Sequence, residues 1–262
     1  MDSDDYEYKG YIASTWDLLR GDTSTWSDRP FYKDVILQSG QPVLDVGCGT
    51  GRLLLDYLAD GIDIDGVDNS PEMLALCRAK AQQLGLQPAL FQQTMETLEL
   101  PRTYRTIIVP SSSFQLLTDL NNAAEALGRF FRHLEPGGTL VMPFMILWEG
   151  STTEQIVSED WQFIAEQIRP EDGAQVRRWT RSTFDLARQL EHTEDRYEVT
   201  REGKIIASEQ YVRSPATRWY TQAQAAHLFA AAGFSNIHAV CEFSQTPASE
   251  QDTVFSLFRT RP

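Results

Sequence analysis

Histidine, cysteine and long apolar runs are all scarce in this chain. It has four histidines and three cysteines in 262 residues. Cys48, Cys77 and Cys241 show no Cys-x-x-Cys or Cys/His spacing, so no metal site is expected. An odd number of such thiols reads as reduced cysteine, which suits a cytoplasmic protein. No apolar run is long enough to span a bilayer, so no membrane partner is expected. The opening Met1-Asp2-Ser3-Asp4-Asp5 is acidic, the reverse of a secretion leader. Positive charge is also short: 23 Lys and Arg face 37 Asp and Glu, for a net charge of −14. Such a body repels phosphate backbones, and nucleic acid is not expected as a partner. Arg177, Arg178 and Arg181 form the one basic cluster of note. They read as charges on the solvent face of a strand.

From residue 42 to residue 144, strand-like and helix-like segments alternate. Strands are expected at 42–46, 62–67, 88–92, 104–109 and 139–144, with helices at 51–60, 71–84 and 121–134. Ser70-Pro71-Glu72 is a strong helix start, with a capping serine, a proline at the first helical position and an acid in the first turn. This alternation implies a parallel sheet with helices on both faces. The pattern then changes. Segments 176–184, 190–199 and 204–213 read as about three antiparallel strands, with a hairpin turn at Arg201-Glu202-Gly203-Lys204. A helix at 222–232, capped by Thr221, and strands at 235–243 and 253–259 close the chain. The expected organisation is one α/β domain over 1–262. It comprises an aromatic N-terminal lid over the cofactor or substrate (1–33), a cofactor-binding core (34–148), an antiparallel β insert (149–220) and a closing unit of the last helix and strands (221–262).

The most informative stretch is Pro42-Val43-Leu44-Asp45-Val46-Gly47-Cys48-Gly49-Thr50-Gly51-Arg52-Leu53. A buried strand runs into a glycine turn and then a helix, which lets a nucleoside-bearing cofactor lie against bare backbone. The third glycine is Gly51. The dinucleotide fingerprint Gly-x-Gly-x-x-Gly needs glycine at position 52, where this chain has Arg52. An NAD-dependent oxidoreductase is therefore the weaker alternative. About twenty residues beyond Gly47, Asp68 ends the second strand, where a carboxylate can accept from both ribose hydroxyls.

Three motifs in order resemble class I S-adenosylmethionine-dependent methyltransferases. They are Val43–Gly51, Gly66-Val67-Asp68-Asn69-Ser70-Pro71-Glu72-Met73-Leu74, and Leu134-Glu135-Pro136-Gly137-Gly138-Thr139-Leu140. The resemblance covers roughly residues 40–145. It implies a Rossmann-like, doubly wound, seven-stranded sheet, mostly parallel with the last strand antiparallel, and S-adenosyl-L-methionine as cofactor. It further implies that Asp45 supports the glycine loop and the cofactor's amino group. Cofactor contacts are expected from Trp16, Asp45, Gly47, Cys48, Gly49, Asp68, Asn69, Met73, Thr94, Met95, Pro110 and Ser111. Thr94 stands where many members carry an adenine-binding aspartate. A catalytically silent module that keeps the cofactor site is the second alternative.

The order of segments, with Arg218-Trp219-Tyr220-Thr221-Gln222 leading into the last helix, resembles a bacterial small-molecule branch. Amino-sugar N,N-dimethyltransferases and glycine N-methyltransferase-like enzymes share it, and their insert often contributes to dimerisation. A small-molecule methyl acceptor is implied, with nitrogen favoured over oxygen. A homodimer is compatible with that branch. Ligands gather at the carboxyl ends of strands in such folds. Ser113 and Gln115, after the fourth strand, are therefore candidate substrate contacts, with Tyr32, Trp148 and Tyr220 as candidate pocket walls. No catalytic base is evident, and His192 in the insert is the one histidine worth testing.

Overall fold

A computed structural model describes residues 6–148 and 154–262. Among the described residues the main sheet has seven strands, in the spatial order 235–241, 254–260, 134–145, 104–108, 43–46, 64–68 and 89–92. Strands β1 (Val43–Val46), β2 (Ile64–Asp68), β3 (Ala89–Gln92), β4 (Tyr104–Ile108) and β5 (Leu134–Met145) run parallel. Strand β12 (Val254–Thr260) is antiparallel both to β5 and to β11 (Ser235–Cys241). The single reversed strand is the last one, as the sequence pattern implies. All four side chains of β1 are buried, which explains its unbroken apolar reading around Asp45.

The helices start where capping chemistry dictates. In α5 (Pro71–Leu84), Ser70 Oγ accepts from the Met73 N–H at 3.1 Å, and Gly85 ends the helix in the left-handed conformation. In α6 (Leu120–His133), Asp119 caps by accepting from Asn121 and Asn122. In α7 (Gln222–Ala231), Thr221 and Gln224 form a reciprocal capping box. Between β1 and α4 (Leu54–Ala59) the chain turns rather than coils. That helix starts three residues later than the expected one.

The insert lies between β5 and α7 and differs from expectation. Among the described residues it has five strands: β6 (Ile156–Ser158), β7 (Gln162–Ile168), β8 (Gln175–Asp185), β9 (Leu190–Arg201) and β10 (Lys204–Arg218). The two extra strands pair with β8 but are largely exposed on both faces, so they carry no alternating signal. Gln115 ties this sheet to the core. Its amide nitrogen donates to the carbonyls of Met145 and Arg218 at 2.9 and 3.0 Å, and its oxygen accepts from the Met145 N–H. One buried side chain thereby fixes the chain where β5 ends and where β10 ends.

The N-terminal segment divides in two. The short helices α1 (Tyr11–Ser14) and α2 (Trp16–Arg20) pack under the insert, where Tyr11, Leu18 and Leu19 meet Val176 and Val199. Helix α3 (Asp28–Ser39) buries Phe31 and Tyr32 in the core beside Val43, Leu54 and Phe258. No helix among the described residues is long and apolar enough to cross a membrane.

Gly51 is where the glycine turn is least forgiving. Its φ is +85°, and an added Cβ would stand 2.6 Å from Cys77 Sγ and 2.8 Å from Leu55 Cγ. Gly51→Ala is expected to cost roughly 2–4 kcal/mol, from backbone strain plus overpacking. Urea denaturation checks this, and an unchanged midpoint would contradict the packing described.

Candidate functional site

The carboxyl ends of β1, β2 and β4 open onto one cleft of about 990 Å³, part of it continuous with solvent. Its floor is Asp45, Val46 and the backbone of Gly47, Cys48 and Gly49. Asp68, Asn69 and Met73 stand at one side, with Pro110, Ser111 and Ser113 at another. The crossing point between β1 and its two parallel neighbours creates this crevice. Two consecutive serines, Ser111 and Ser112, hold left-handed φ values of 56° and 55°. Strain of this kind in non-glycine residues persists where the surroundings enforce it.

Asp68 organises the entrance. Its Oδ2 accepts from the Gly49 N–H and its Oδ1 from the Ser70 N–H, both at 2.9 Å. One carboxylate thus locks the turn after β1 to the start of α5. Burial raises its carboxyl above the usual range, opposed by the hydrogen bonds from Ser70 and Gly49. The Asn69 N–H adds to that opposition, and the Asp68 side chain lines the cleft. Asp45 is more deeply buried, and its Oδ1 has no hydrogen-bond partner among the described residues.

Arg52, the residue that breaks the dinucleotide fingerprint, has a structural task. Its guanidinium grips Asp28 with two parallel hydrogen bonds, one of 3.0 Å, and both side chains are largely buried. The pair docks the first turn of α3 against the glycine turn, and Arg52 also lines the cleft. Arg20 lines it as well, with its guanidinium carbon 3.8 Å from the Trp16 ring centroid. Burial lowers its pKa to about 10, and neighbouring Arg52 adds to the shift.

Eleven of the twelve expected cofactor contacts line this cleft. Thr94 does not: its hydroxyl meets that of Thr97 at 2.7 Å, and Gln93 takes the place at the cleft. Strand β3 ends at Gln92, so the first residue beyond it is the one presented. Of the expected substrate contacts, Ser113 lines the cleft, and its hydroxyl donates to the Pro110 carbonyl. The others lie elsewhere. Tyr32 is fully buried in the core, Gln115 is spent on the backbone of the insert, Trp148 packs on Phe184, and Tyr220 packs on Phe114 and Phe144. Tyr32 sits on the inward face of α3, whereas Trp148 and Tyr220 lie in the connections that follow β5 and β10. His192 also lies off the cleft. Strand alternation turns it away from the face that carries Asp195 and Tyr197, and it meets Ser214 Oγ at 2.6 Å.

Arg20, Thr50, Gln93 and Leu116 line the cleft without being among the expected contacts, while Tyr6 and Tyr8 at the cleft belong to the aromatic N-terminal segment that the sequence marks as a candidate lid. The polar-aromatic alternation of residues 6–16 was the available signal. Tyr6 donates to Glu96 at 2.8 Å and accepts from the Met95 N–H at 3.2 Å. Ser70 Oγ donates to the Tyr8 carbonyl, and Glu72 accepts from the Gly10 N–H. The segment is thereby laid across the ends of β2 and β3.

Residues 43–138 match the family model described as a methyltransferase domain. A demethylmenaquinone methyltransferase of Thermus thermophilus is 31% identical over 137 residues, covering 50% of this chain and 61% of that protein. The chain spans about half the length of such curated relatives. Among solved structures, the CcbJ methyltransferase from Streptomyces caelestis superposes with a TM-score of 0.73 at 20% identity, covering 100% of both chains. CalS10 from Micromonospora echinaspora, an amino pentose methyltransferase solved with bound SAM, gives 0.64 at 23% identity over 97% of this chain and 98% of that one. At such identities these two establish the shared fold.

Burial lifts the Asp45 carboxyl to about 7, with Arg52 opposing and Asp68 adding to the rise. Between its ordinary pKa and about 7 the folded chain holds this proton more tightly than the unfolded chain does. Stability from this group is therefore full at acid pH and is lost as pH rises through about 7. Asp45→Asn removes that loss. It should stabilise the protein by up to about 4 kcal/mol near pH 8, with the gain shrinking towards about pH 5. Denaturant titrations at the two pH values check this, and a gain that is equal at both, or absent, would contradict it.

Proposed function

We propose that this chain, whose residues 43–138 are a methyltransferase domain, moves a methyl group from S-adenosylmethionine to a small-molecule acceptor. Nitrogen is the favoured acceptor atom, and S-adenosylhomocysteine is the cofactor product. The observation that carries this reading is the meeting of Asp45, the bare Gly47–Gly49 backbone and Asp68 on one cleft.

The residues present fit that cofactor. Asp45 supplies a buried carboxylate oxygen without a partner among the described residues, suited to an ammonium group. A Cβ on Gly47 would approach Ser113 Oγ to 2.9 Å, whereas one on Gly49 would meet nothing nearer than 4.0 Å. The first glycine thus keeps the turn closed, and the second leaves room against which a ribose can lie. Asp68 would hold ribose hydroxyls with its remaining acceptor sites. Met73, Met95 and Val67 give an apolar wall for a base, with Asn69 and Gln93 at its edge. Arg20 would meet the carboxylate end, as a guanidinium suits a planar anion.

When bound, the sulfonium supplies an activated methyl and its own leaving group. The chain's part is alignment and exclusion of water. Tyr6, Tyr8 and Trp16 cover the cleft from the N-terminal side, and the Pro110–Ser113 turn borders it from the core. A hydroxyl acceptor needs a base, and a neutral amine does not. No histidine lines the cleft among the described residues. Asp68 is already engaged by two N–H groups and Asp45 is assigned to the cofactor. These facts support nitrogen over oxygen.

Calorimetric titration with S-adenosylmethionine, S-adenosylhomocysteine and NAD tests this. Both sulfur nucleosides are expected to bind and NAD is not. Asp68→Ala should weaken sulfur-nucleoside affinity by roughly 10- to 100-fold, the worth of one charge-assisted hydrogen bond. Circular dichroism should show the fold retained. Failure of either sulfur nucleoside to bind the unsubstituted protein would overturn the proposal. Binding without transfer of a labelled methyl to any of a panel of amines, amino sugars, amino acids and phenols would favour a silent module.

A further inference from the structure

Helix α2 meets a different part of the molecule on each of its sides. Leu18 and Leu19 pack under the insert. Trp16 and Arg20, one turn apart, line the cleft. Asp17 faces the glycine turn, where its Oδ1 accepts from the Thr50 hydroxyl at 2.7 Å. Its Oδ2 lies 2.7 Å from Lys80 Nζ on α5. The helix is five residues long, has no side-chain cap and contains no buried residue. A helix this short does not hold its own conformation or direction. Its angle over the cleft therefore rests on side-chain ties, and the carboxylate of Asp17 joins it both to the turn after β1 and to α5.

The two ties are unequal. Thr50 is 1% exposed, and a hydroxyl so buried needs a protein acceptor. The Lys80 and Asp17 side chains are 36% and 44% exposed, and an ion pair of that kind is worth little. The bond to Thr50 is therefore the tie that sets the angle of α2. What it aims is Arg20. That guanidinium stacks on two indoles, with its Cζ 3.8 Å from the Trp16 centroid and 5.4 Å from that of Trp26. Among the described residues no carboxylate bonds to it, and Asp17 and Asp28 favour its charge only from a distance. Arg20 lines the cleft, so a planar set of donors opens on the cavity and is not spent on a neighbour.

We propose that Asp17 is a positioning residue for cofactor selection. Through Thr50 it holds α2 so that Arg20 meets a carboxylate, and the site thereby prefers sulfur nucleosides that keep their amino-acid end intact. This deepens the methyltransferase reading and rests on it. Asp17 lies outside the lining of the cleft and acts through Arg20. A two-pronged guanidinium–carboxylate pair needs both groups in one plane, so a small rotation of α2 weakens it. The contacts to adenine and ribose come from the turns after β1, β2 and β3 and do not depend on that angle. A cofactor gripped at both ends, its ribose by Asp68 and its carboxylate by Arg20, has its sulfur at a fixed point between them, which is what alignment of the methyl requires.

The test compares S-adenosylhomocysteine with its decarboxylated analogue, which lacks only the carboxylate, by calorimetric titration. The ratio of the two affinities should be about tenfold or more in the unsubstituted protein, and Arg20→Gln should bring it below about threefold. Asp17→Ala should lower the ratio about threefold or more while affinity for the decarboxylated analogue stays within about twofold. Asp17→Asn keeps an acceptor for Thr50 and should retain most of the ratio. Lys80→Met should leave the ratio unchanged, since it removes only the exposed ion pair. A structural loss alone would weaken both ligands alike, and that result in Asp17→Ala would overturn the proposal. So would a ratio near one in the unsubstituted protein, or a full ratio that survives Asp17→Ala. If Asp17→Ala does not fold, Thr50→Val breaks the same bond from its other end at nearly constant volume and should lower the ratio to the same extent. Failure of the cofactor reading registers separately: neither ligand would bind the unsubstituted protein, and the proposal would fall with it.

Discussion

The carboxylate of Asp68 is the tie on which the site depends. It takes one N–H from the glycine turn after β1 and one from the start of α5. Both turns lie at the carboxyl ends of adjacent parallel strands, so the distance between them is set by the β1–β2 register, in which Asp45 pairs with Gly66 and Val46 with Val67. The sheet therefore fixes where the carboxylate stands, and the carboxylate fixes the shape of the turn. The cleft is a consequence of that geometry and needs no further loop to define its floor. Asp45, on the same strand, is buried with its Oδ1 unpartnered among the described residues, and burial raises its carboxyl above the usual range. A buried carboxylate without a partner is a local cost that the surrounding β1, β2 and β4 packing sustains.

Above this floor lies a second layer built from distant parts of the chain. Residues 6–20 run between the main sheet and the inner face of the insert. They are pinned below by Ser70 and Glu72 and above by Glu209 and Tyr211. Tyr8 belongs to both surroundings, with Trp16 at 5.0 Å on one side and Arg213 on the other. The interior of this sandwich holds arginines and carboxylates side by side, Arg52 with Asp28 and both Arg178 and Arg213 with Asp195. Arg20 and Arg52 stand at the cleft, and Arg178 and Arg213 stand beneath the insert. Net charge speaks for solubility and long-range steering, whereas site chemistry follows local placement.

Much of the core was legible in the sequence because its signals are local. The serine-proline start of α5, the glycine turn and the unbroken apolar strand around Asp45 each act within a few residues, and each lies where it was expected. What was not legible depends on contacts between distant segments. Gln115 looked like a substrate contact because it follows β4, yet its amide bridges to residues 145 and 218. An aromatic such as Tyr32 or Tyr220 suits a pocket wall or a core equally well by sequence, and both pack into the core. Strands β6 and β7 gave no period because neither face is buried. The basic cluster was misread for a related reason. A run of arginines shows its charge, but only the strand's two-residue alternation and the β9–β10 register show that Arg178 turns in towards Asp195.

A crystal structure of the protein with S-adenosylhomocysteine tests the central claim most directly. The ribose hydroxyls should lie within hydrogen-bond distance of Asp68, the amino group should face Asp45 Oδ1, and the carboxylate should meet Arg20. The sulfur should point towards the Pro110–Ser113 turn beneath Tyr8. A ligand bound outside this cleft, or one in the cleft with its ribose away from Asp68, would contradict the assignment.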